Sequence, residues 1–227
     1  MKRKPFREDG GCNWDVPAIY SEKYEAYIRP GTSDEKVWQE IREYKAMKIS
    51  SRDRVLDLGG NIGAFSSKAV CFGAVVLAYE PEPENYKLLK LNSPDSENIQ
   101  AAVVSGKERR VTLYLNRGTG AGSHTVEPTR GRIPIQVPAV QFSEVLREFK
   151  PTKIKCDIEG AEFDLFINTK LPKCVTEVIM ELHLKGRDKW LRATVALHKS
   201  FLQQGFEAIV SPRFKKTDWH CPAHYRR

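Results

Sequence analysis

The run Val55-Leu56-Asp57-Leu58-Gly59-Gly60-Asn61-Ile62-Gly63-Ala64-Phe65 constrains this chain more than any other segment. A short apolar strand stops at two glycines and turns directly into the start of a helix. Glycine tolerates positive φ and close approach of another backbone, and the free amides of a helix start attract the polar part of a ligand. Glu80 closes the next apolar run, about twenty residues on, where a carboxylate can accept from both hydroxyls of a ribose. The dinucleotide fingerprint G-x-G-x-x-G is not met, because Asn61 and Ala64 stand where it requires glycine, so hydride transfer with NAD is disfavoured.

The order Asp57-x-Gly59-x-x-x-Gly63 resembles the cofactor loop of class I S-adenosylmethionine-dependent methyltransferases, which hold a nucleoside carrying methionine rather than a pyrophosphate. Tight strand-to-helix turns also arise for packing alone. The acid at the ribose distance favours the nucleoside.

From Arg54 onward, short apolar runs alternate with amphipathic segments, the pattern of a parallel sheet covered on both faces. Strands are expected near 54–58, 75–80, 98–104, 153–157, 175–183 and 206–210, and helices near 63–72, 83–92, 160–168 and 189–204. The fold class is therefore α/β, a Rossmann-like mostly parallel sheet with helices on both faces. Arg109–Leu115 and Ile133–Val137 both read with period two around a Gly-rich stretch that ends at His124. They predict a β-hairpin insertion before the fourth core strand. Thr32 and Glu35 form a capping-box pattern ahead of Val37, Ile41 and Tyr44, which predicts one helix over 33–47. Residues 1–30 read as an irregular or partly helical N-terminal arm rich in aromatics, 31–210 as the catalytic domain and 211–227 as a basic C-terminal tail.

A second constellation, Lys153-Ile154-Lys155-Cys156-Asp157-Ile158-Glu159-Gly160-Ala161-Glu162, is a strand ending in acids ahead of a helix. Lys155 and Asp157 share one strand face. Ligands of open parallel sheets sit outside the carboxyl ends of the strands, which favours a functional role for Asp157 and Glu159. Glu162 reads as an acid in the first helical turn, where the helix dipole favours an anion.

Here the chain resembles the FkbM methyltransferase family, whose members carry a K-x-D-x-E-G-A-E segment like Lys155 to Glu162. The resemblance also takes in Glu80 to Tyr86, Ala101-Ala102-Val103, Val111 to Leu115, the loop ending at Ser123 and Glu181-Leu182-His183. It spans roughly Gly31 to Val210. It implies a Rossmann-like methyltransferase that uses S-adenosylmethionine to methylate a hydroxyl, often on a sugar or a natural product. Carried over by position, Asp57, Gly59, Asn61 and Gly63 line the cofactor loop, Glu80 takes the ribose, Ala101 and Ala102 flank the adenine and Asp157 meets the methionine end.

Transfer to a hydroxyl needs the acceptor oxygen aligned behind the methyl group and its proton removed. His183, at a strand end with a reference ionisation near neutrality, is the first candidate base. A structural histidine in a hydrogen-bond network is the competing reading. Glu159 and Lys155 are the other catalytic candidates, with Asp157 beside them. Asp157, Glu159, Glu181 and His183 could also gather round a divalent ion, although nothing in the sequence indicates a metal. The run His220-Cys221-Pro222-Ala223-His224 lacks a second half at zinc spacing and reads as plain surface tail. His198, on an amphipathic segment, reads as structural.

The 227 residues suit one α/β domain with elaborations, and the longest apolar run is far below the roughly 20 residues that cross a bilayer. The basic start Met1 to Arg7 lacks a secretory signal's apolar stretch, so a cytoplasmic location is expected. Five cysteines without a close pair point to reduced thiols. The net charge of +8 is concentrated at the termini. It leaves nucleic acid as a partner through those termini beside the small-molecule or glycan acceptor, and the oligomeric state open. An RNA 2'-O-methyltransferase and a non-catalytic cofactor-binding module are the alternatives.

Overall fold

The computed structural model describes residues 16–115, 132–183, 187–210 and 220–227. In chain order they form β1 (Ile19–Ser21), β2 (Ala26–Ile28), α1 (Asp34–Glu40), a 3-10 segment (Ile41–Ala46), β3 (Arg54–Leu58), α2 (Ala64–Cys71), β4 (Val75–Tyr79), α3 (Pro83–Asn92), β5 (Glu97–Ile99) and β6 (Ala102–Val104). There follow β7 (Arg110–Leu115), β8 (Ile133–Gln141), α4 (Phe142–Phe149), β9 (Lys153–Cys156), α5 (Glu162–Phe166), β10 (Glu177–His183), α6 (Arg187–Gln203), β11 (Glu207–Val210) and β12 (His220–Arg226).

The central sheet has seven strands in the order β11-β12-β10-β9-β3-β4-β5. β9, β3, β4, β5 and β10 run parallel to their neighbours in that set, whereas β12 is antiparallel to both β10 and β11. Along β3 the side chains alternate between two cores. Leu56 and Leu58 join the large cluster with Phe142, Phe163, Phe166 and Phe201 from α4, α5 and α6, while Val55 packs with Phe65 and Ala69 of α2. The expected architecture of a mostly parallel sheet with helices on both faces is therefore the one observed. The chain leaves β3 toward β4 and later enters β9 on the other side of β3. The carboxyl ends of β3 and β9 thus frame the crevice where open α/β sheets bind ligands.

The hairpin is present, with β7 and β8 paired from Arg110↔Pro138 to Leu115↔Ile133, and it precedes the fourth core strand. Its tip, including His124, lies outside the described residues. The single strand expected over 98–104 is instead two, because the chain turns at Gln100 and Ala101. β5 stays on the edge of the central sheet, and β6 leaves it to pair with β8 in a separate three-stranded sheet. Helix α4 was not expected, although Phe142, Val145, Leu146 and Phe149 recur at helical spacing and are all buried.

The helix over 33–47 is shorter than its periodicity implies. α1 ends at Glu40 and a tighter 3-10 segment follows. The capping box does not close either. Thr32 Oγ1 accepts from the Asp34 amide at 3.2 Å, but Glu35 is met by the Tyr24 hydroxyl at 3.5 Å. Asp34 is fully buried against Arg29, whose Nε donates at 2.9 Å and whose Nη2 also reaches Asn85 of α3 at 2.7 Å. The part of the N-terminal arm within the described residues is a β1–β2 hairpin rather than an irregular or helical stretch.

The largest correction concerns the C-terminus. Residues 220–226 are a sheet strand, not surface tail. Tyr225 and Ala223 are fully buried, and His224 Nε2 donates to Glu177 Oε1 at 2.7 Å. Glu177 also accepts from Lys153 Nζ at 2.6 Å and from Arg226. Burial works against its charge, but His224, Lys153 and Arg226 outweigh it and hold its carboxyl down at about 2. Arg227 donates to the carbonyls of Val175 and Gln204 at 2.8 and 2.9 Å. Two of the arginines counted toward a polyanion-binding tail are therefore engaged within the fold. No helix among the described residues is long and apolar enough to cross a membrane.

Candidate active site

The Gly loop that leaves β3 is held from three sides. Gly59 and Gly60 donate to the Tyr79 carbonyl of β4 at 3.0 and 2.9 Å. Gly59 (φ +80°) admits no side chain, since a Cβ there would stand 1.9 Å from the Asp157 carbonyl oxygen. Gly63 (φ +91°) is the N-cap of α2. Asn92, the last residue of α3, donates to the carbonyls of Ile62 at 2.7 Å and Tyr27 at 2.9 Å, which ties the loop to the N-terminal hairpin. This link has no local sequence signal, because its partners are 65 and 30 residues away.

Glu80 lies across the loop mouth. Its Oε2 accepts from the Asn61 amide at 2.8 Å and its Oε1 from the Glu82 amide at 2.9 Å. Burial pushes its carboxyl up to about 8, against the downward pull of those two amides. Asn61 adopts a left-handed backbone (φ +50°), and its buried Oδ1 has no hydrogen-bond partner among the described residues. Ala101 and Ala102 are buried just beyond β5, and the Glu80 amide bonds the Ile99 carbonyl at 3.1 Å beside them.

Asp57 and Lys155 lie beneath the loop rather than at its mouth. Asp57 is fully buried, 3.2 Å from Lys155 Nζ, and its Oδ2 accepts from Ser66 of α2 at 2.6 Å. Lys155 is 4% exposed and donates to the Gly59 carbonyl at 2.6 Å. Burial opposes its charge, yet the Asp57 and Asp157 carboxylates raise its ionisation above the ordinary value. A lysine so placed carries the loop and does not reach toward an acceptor.

The strand tips bring together the other candidates. Asp157, anchored by its amide to the Leu58 carbonyl at 2.9 Å, accepts from the Tyr44 hydroxyl at 3.2 Å on Oδ2. His183 ends β10 on the same sheet face as Ile179, two full strand repeats earlier. Its Nε2 stands 3.6 Å from Glu159 Oε2 and 4.0 Å from Asp157 Oδ1. Its Nδ1 donates to Glu162 Oε1 at 3.0 Å.

Glu162 does more than an acid in a first helical turn is expected to do. It is fully buried and accepts from the amides of Ile158 and Gly160, both at 3.1 Å, besides His183. It thereby folds the Asp157–Gly160 turn, in which Glu159 (φ +59°) and Gly160 (φ +123°) are left-handed. A helix-start acid was legible in the sequence, but its reach to a histidine 21 residues on was not. The helical period at Tyr44 predicts only an apolar contact. Its ring meets Phe65 edge-on at 5.5 Å while its hydroxyl serves Asp157.

The neutral-pH base expected at His183 also needs correction. Burial lowers its ionisation, but the Glu162 bond and the carboxylates of Glu159 and Asp157 outweigh burial and raise it to about 9. At neutral pH the imidazole is held protonated. Outside this site, His198 contacts the Tyr225 hydroxyl at 3.3 Å, the structural role expected of it.

The Methyltransferase FkbM domain profile matches residues 57–208, more than half of the chain. No curated protein sequence matches it. Similar solved structures include P. horikoshii TYW2 in complex with MeSAdo, at 16% identity over 93% of this chain and 70% of that one with a TM-score of 0.50. A TehB-like SAM-dependent methyltransferase from Corynebacterium glutamicum is 12% identical over 83% and 86%, with a TM-score of 0.45. The Methanococcus jannaschii fibrillarin pre-rRNA processing protein is 13% identical over 96% and 84%, with a TM-score of 0.48. At such an identity the first likeness speaks to fold alone, and the other two, with TM-scores below 0.5, carry no argument. The domain match, which runs from the Gly loop through both strand tips to β11, makes this protein a member of the FkbM family of S-adenosylmethionine-dependent methyltransferases.

Proposed function

We propose that the protein transfers the methyl group to a hydroxyl oxygen of a sugar, glycan or other small molecule. The observation that carries this reading is the Asp157–Glu159–His183 cluster at the carboxyl ends of β9 and β10, beside the cofactor loop. It brings proton acceptors and a cationic donor to the place where an acceptor hydroxyl has to lie.

The loop residues fit the cofactor. Asn61 Oδ1 is a buried acceptor awaiting a donor, Gly59 presses its backbone against Asp157 where a Cβ would collide, and Glu80 offers carboxylate oxygens at the ribose position. When bound, S-adenosylmethionine supplies a methyl carbon on a sulfonium, open to in-line displacement. Glu159 takes the proton of the acceptor hydroxyl and releases it to water after transfer. His183, as an imidazolium oriented by Glu162, stabilises the charge that develops on the oxygen. Asp157 aligns the methionine end. Asp57 and Lys155 keep the loop in shape from below.

The test begins with calorimetry of S-adenosylmethionine binding to the wild type and to Glu80→Ala, followed by an acceptor screen with glycans, small hydroxylated molecules and RNA. Tight binding lost in Glu80→Ala supports the cofactor site. Glu159→Gln should retain cofactor affinity and lose about 10²–10⁴-fold in turnover, the usual worth of a general base. Unchanged turnover in Glu159→Gln and His183→Ala removes both from the reaction, and methylation of RNA alone replaces the small-molecule reading.

A further inference from the structure

We infer that Asp157, Glu159 and His183 form a binding site for one divalent cation of the manganese class, next to the cofactor loop. One ligand atom from each residue lies within 4.8 Å of those of the other two. The separations of His183 Nε2 from Glu159 Oε2 (3.6 Å) and Asp157 Oδ1 (4.0 Å) exceed a good hydrogen bond. They match two donors that each stand about 2.1 Å from a shared ion, which are about 3–4 Å apart.

The surroundings are those of a ligand set. Glu162, fully buried, engages Nδ1 of His183 at 3.0 Å and so turns Nε2 toward the two carboxylates, as the outer carboxylate of a carboxylate–histidine–metal triad does. The Tyr44 hydroxyl holds Oδ2 of Asp157 at 3.2 Å and leaves Oδ1 on the His183 side. The three side chains are only partly buried, at 17, 27 and 31% exposure, so an ion among them keeps positions open to solvent or to an acceptor. One imidazole with two carboxylates suits Mn²⁺, which accepts both ligand types, better than the all-oxygen preference of Mg²⁺ or Ca²⁺.

The ion displaces the Nε2 proton of His183 and takes over the charge-stabilising role of the imidazolium; its catalytic use rests on the methyl-transfer reading, whereas its binding does not. On that reading the acceptor presents two neighbouring oxygens, as a vicinal diol or hydroxy-carbonyl does, to chelate the open positions. Its hydroxyl then gives up its proton more readily.

The experiment is a titration of the chelator-stripped full chain with MnCl₂, followed by the paramagnetic resonance signal of free Mn²⁺. One ion per chain is expected. Glu159→Gln and Asp157→Asn should each weaken binding by about 10-fold or more, and Glu162→Gln by about 10–100-fold without removing a ligand. S-adenosylmethionine affinity measured on Glu159→Gln checks that the fold is intact. Absence of binding by the wild type at millimolar Mn²⁺, Co²⁺ and Zn²⁺ overturns the inference, as does binding that Glu159→Gln and His183→Ala leave unchanged. Ion binding at this site without methylation of any acceptor upholds the inference and refutes the proposed transfer. Full turnover with chelator present and no bound ion upholds the proposed transfer and overturns the catalytic use of the ion.

Discussion

In the metal-free protein His183 should titrate near 9, and Glu162→Gln should bring that value down by at least one unit. The carboxylate of Glu162 contributes both a 3.0 Å hydrogen bond and the nearest opposite charge, while Glu159 and Asp157 stand further off. A rise from the reference 6.5 to about 9 corresponds to about 3 kcal/mol of extra stability for the protonated fold, at 1.36 kcal/mol per unit. Because the folded value is raised, this stability is fully present below about 6.5 and disappears as pH climbs through 9. The side chain is 17% exposed, so solvent screening removes little of it. Histidine ring titration by heteronuclear NMR measures the ionisation. Urea unfolding at pH 6 and pH 9.5 measures the linkage, with His183→Gln as reference because its amide still donates to Glu162. The wild type should lose about 3 kcal/mol more than His183→Gln between those pH values. A His183 that titrates at or below 6.5, or equal losses in the two proteins, refutes the electrostatic account of this site.

Glu177→Gln should destabilise the fold by about 3–5 kcal/mol at neutral pH, since it leaves Lys153 and His224 buried without their shared carboxylate. The wild-type advantage, read by urea unfolding, should be complete above about 4.5 and fade as pH falls toward 2, because the folded value is depressed. Gly59→Ala should abolish S-adenosylmethionine binding in calorimetry and lower the melting temperature, because the added Cβ meets the Asp157 carbonyl and φ is +80°. Affinity for the cofactor should rise from pH 6 to 9 in the wild type, as burial holds the Glu80 carboxyl near 8 and the ribose hydroxyls need an ionised acceptor. In Glu80→Gln it should stay flat, and a flat wild-type profile would remove Glu80 from the ribose.

Much of the scaffold was legible in the sequence because it is local. The strands β3, β4 and β9, the glycines at positive φ and the acid that ends each strand all announce themselves within a few residues, through period, composition and turn chemistry. Helix α4 carries the same kind of signal in Phe142, Val145, Leu146 and Phe149, but it is only eight residues long and is wedged between the hairpin and β9. The failure at Thr32 and Glu35 has a different origin. A tertiary partner, Arg29 reaching Asn85, buries Asp34 and displaces the capping pattern that the sequence alone favours.

By itself the sequence determined the core strands β3, β4 and β9, the Gly loop and the set of acids available at the strand ends, because those depend on backbone preference and on neighbours within one helical turn or one strand. Only the tertiary structure decided what each polar group does. It sent Lys155 and Asp57 under the loop, made Glu162 the partner of His183 and drew the basic C-terminus into the sheet around Glu177. Burial and the charge of partners far along the chain set the ionisation and direction of a side chain. Those partners meet only when the sheet closes.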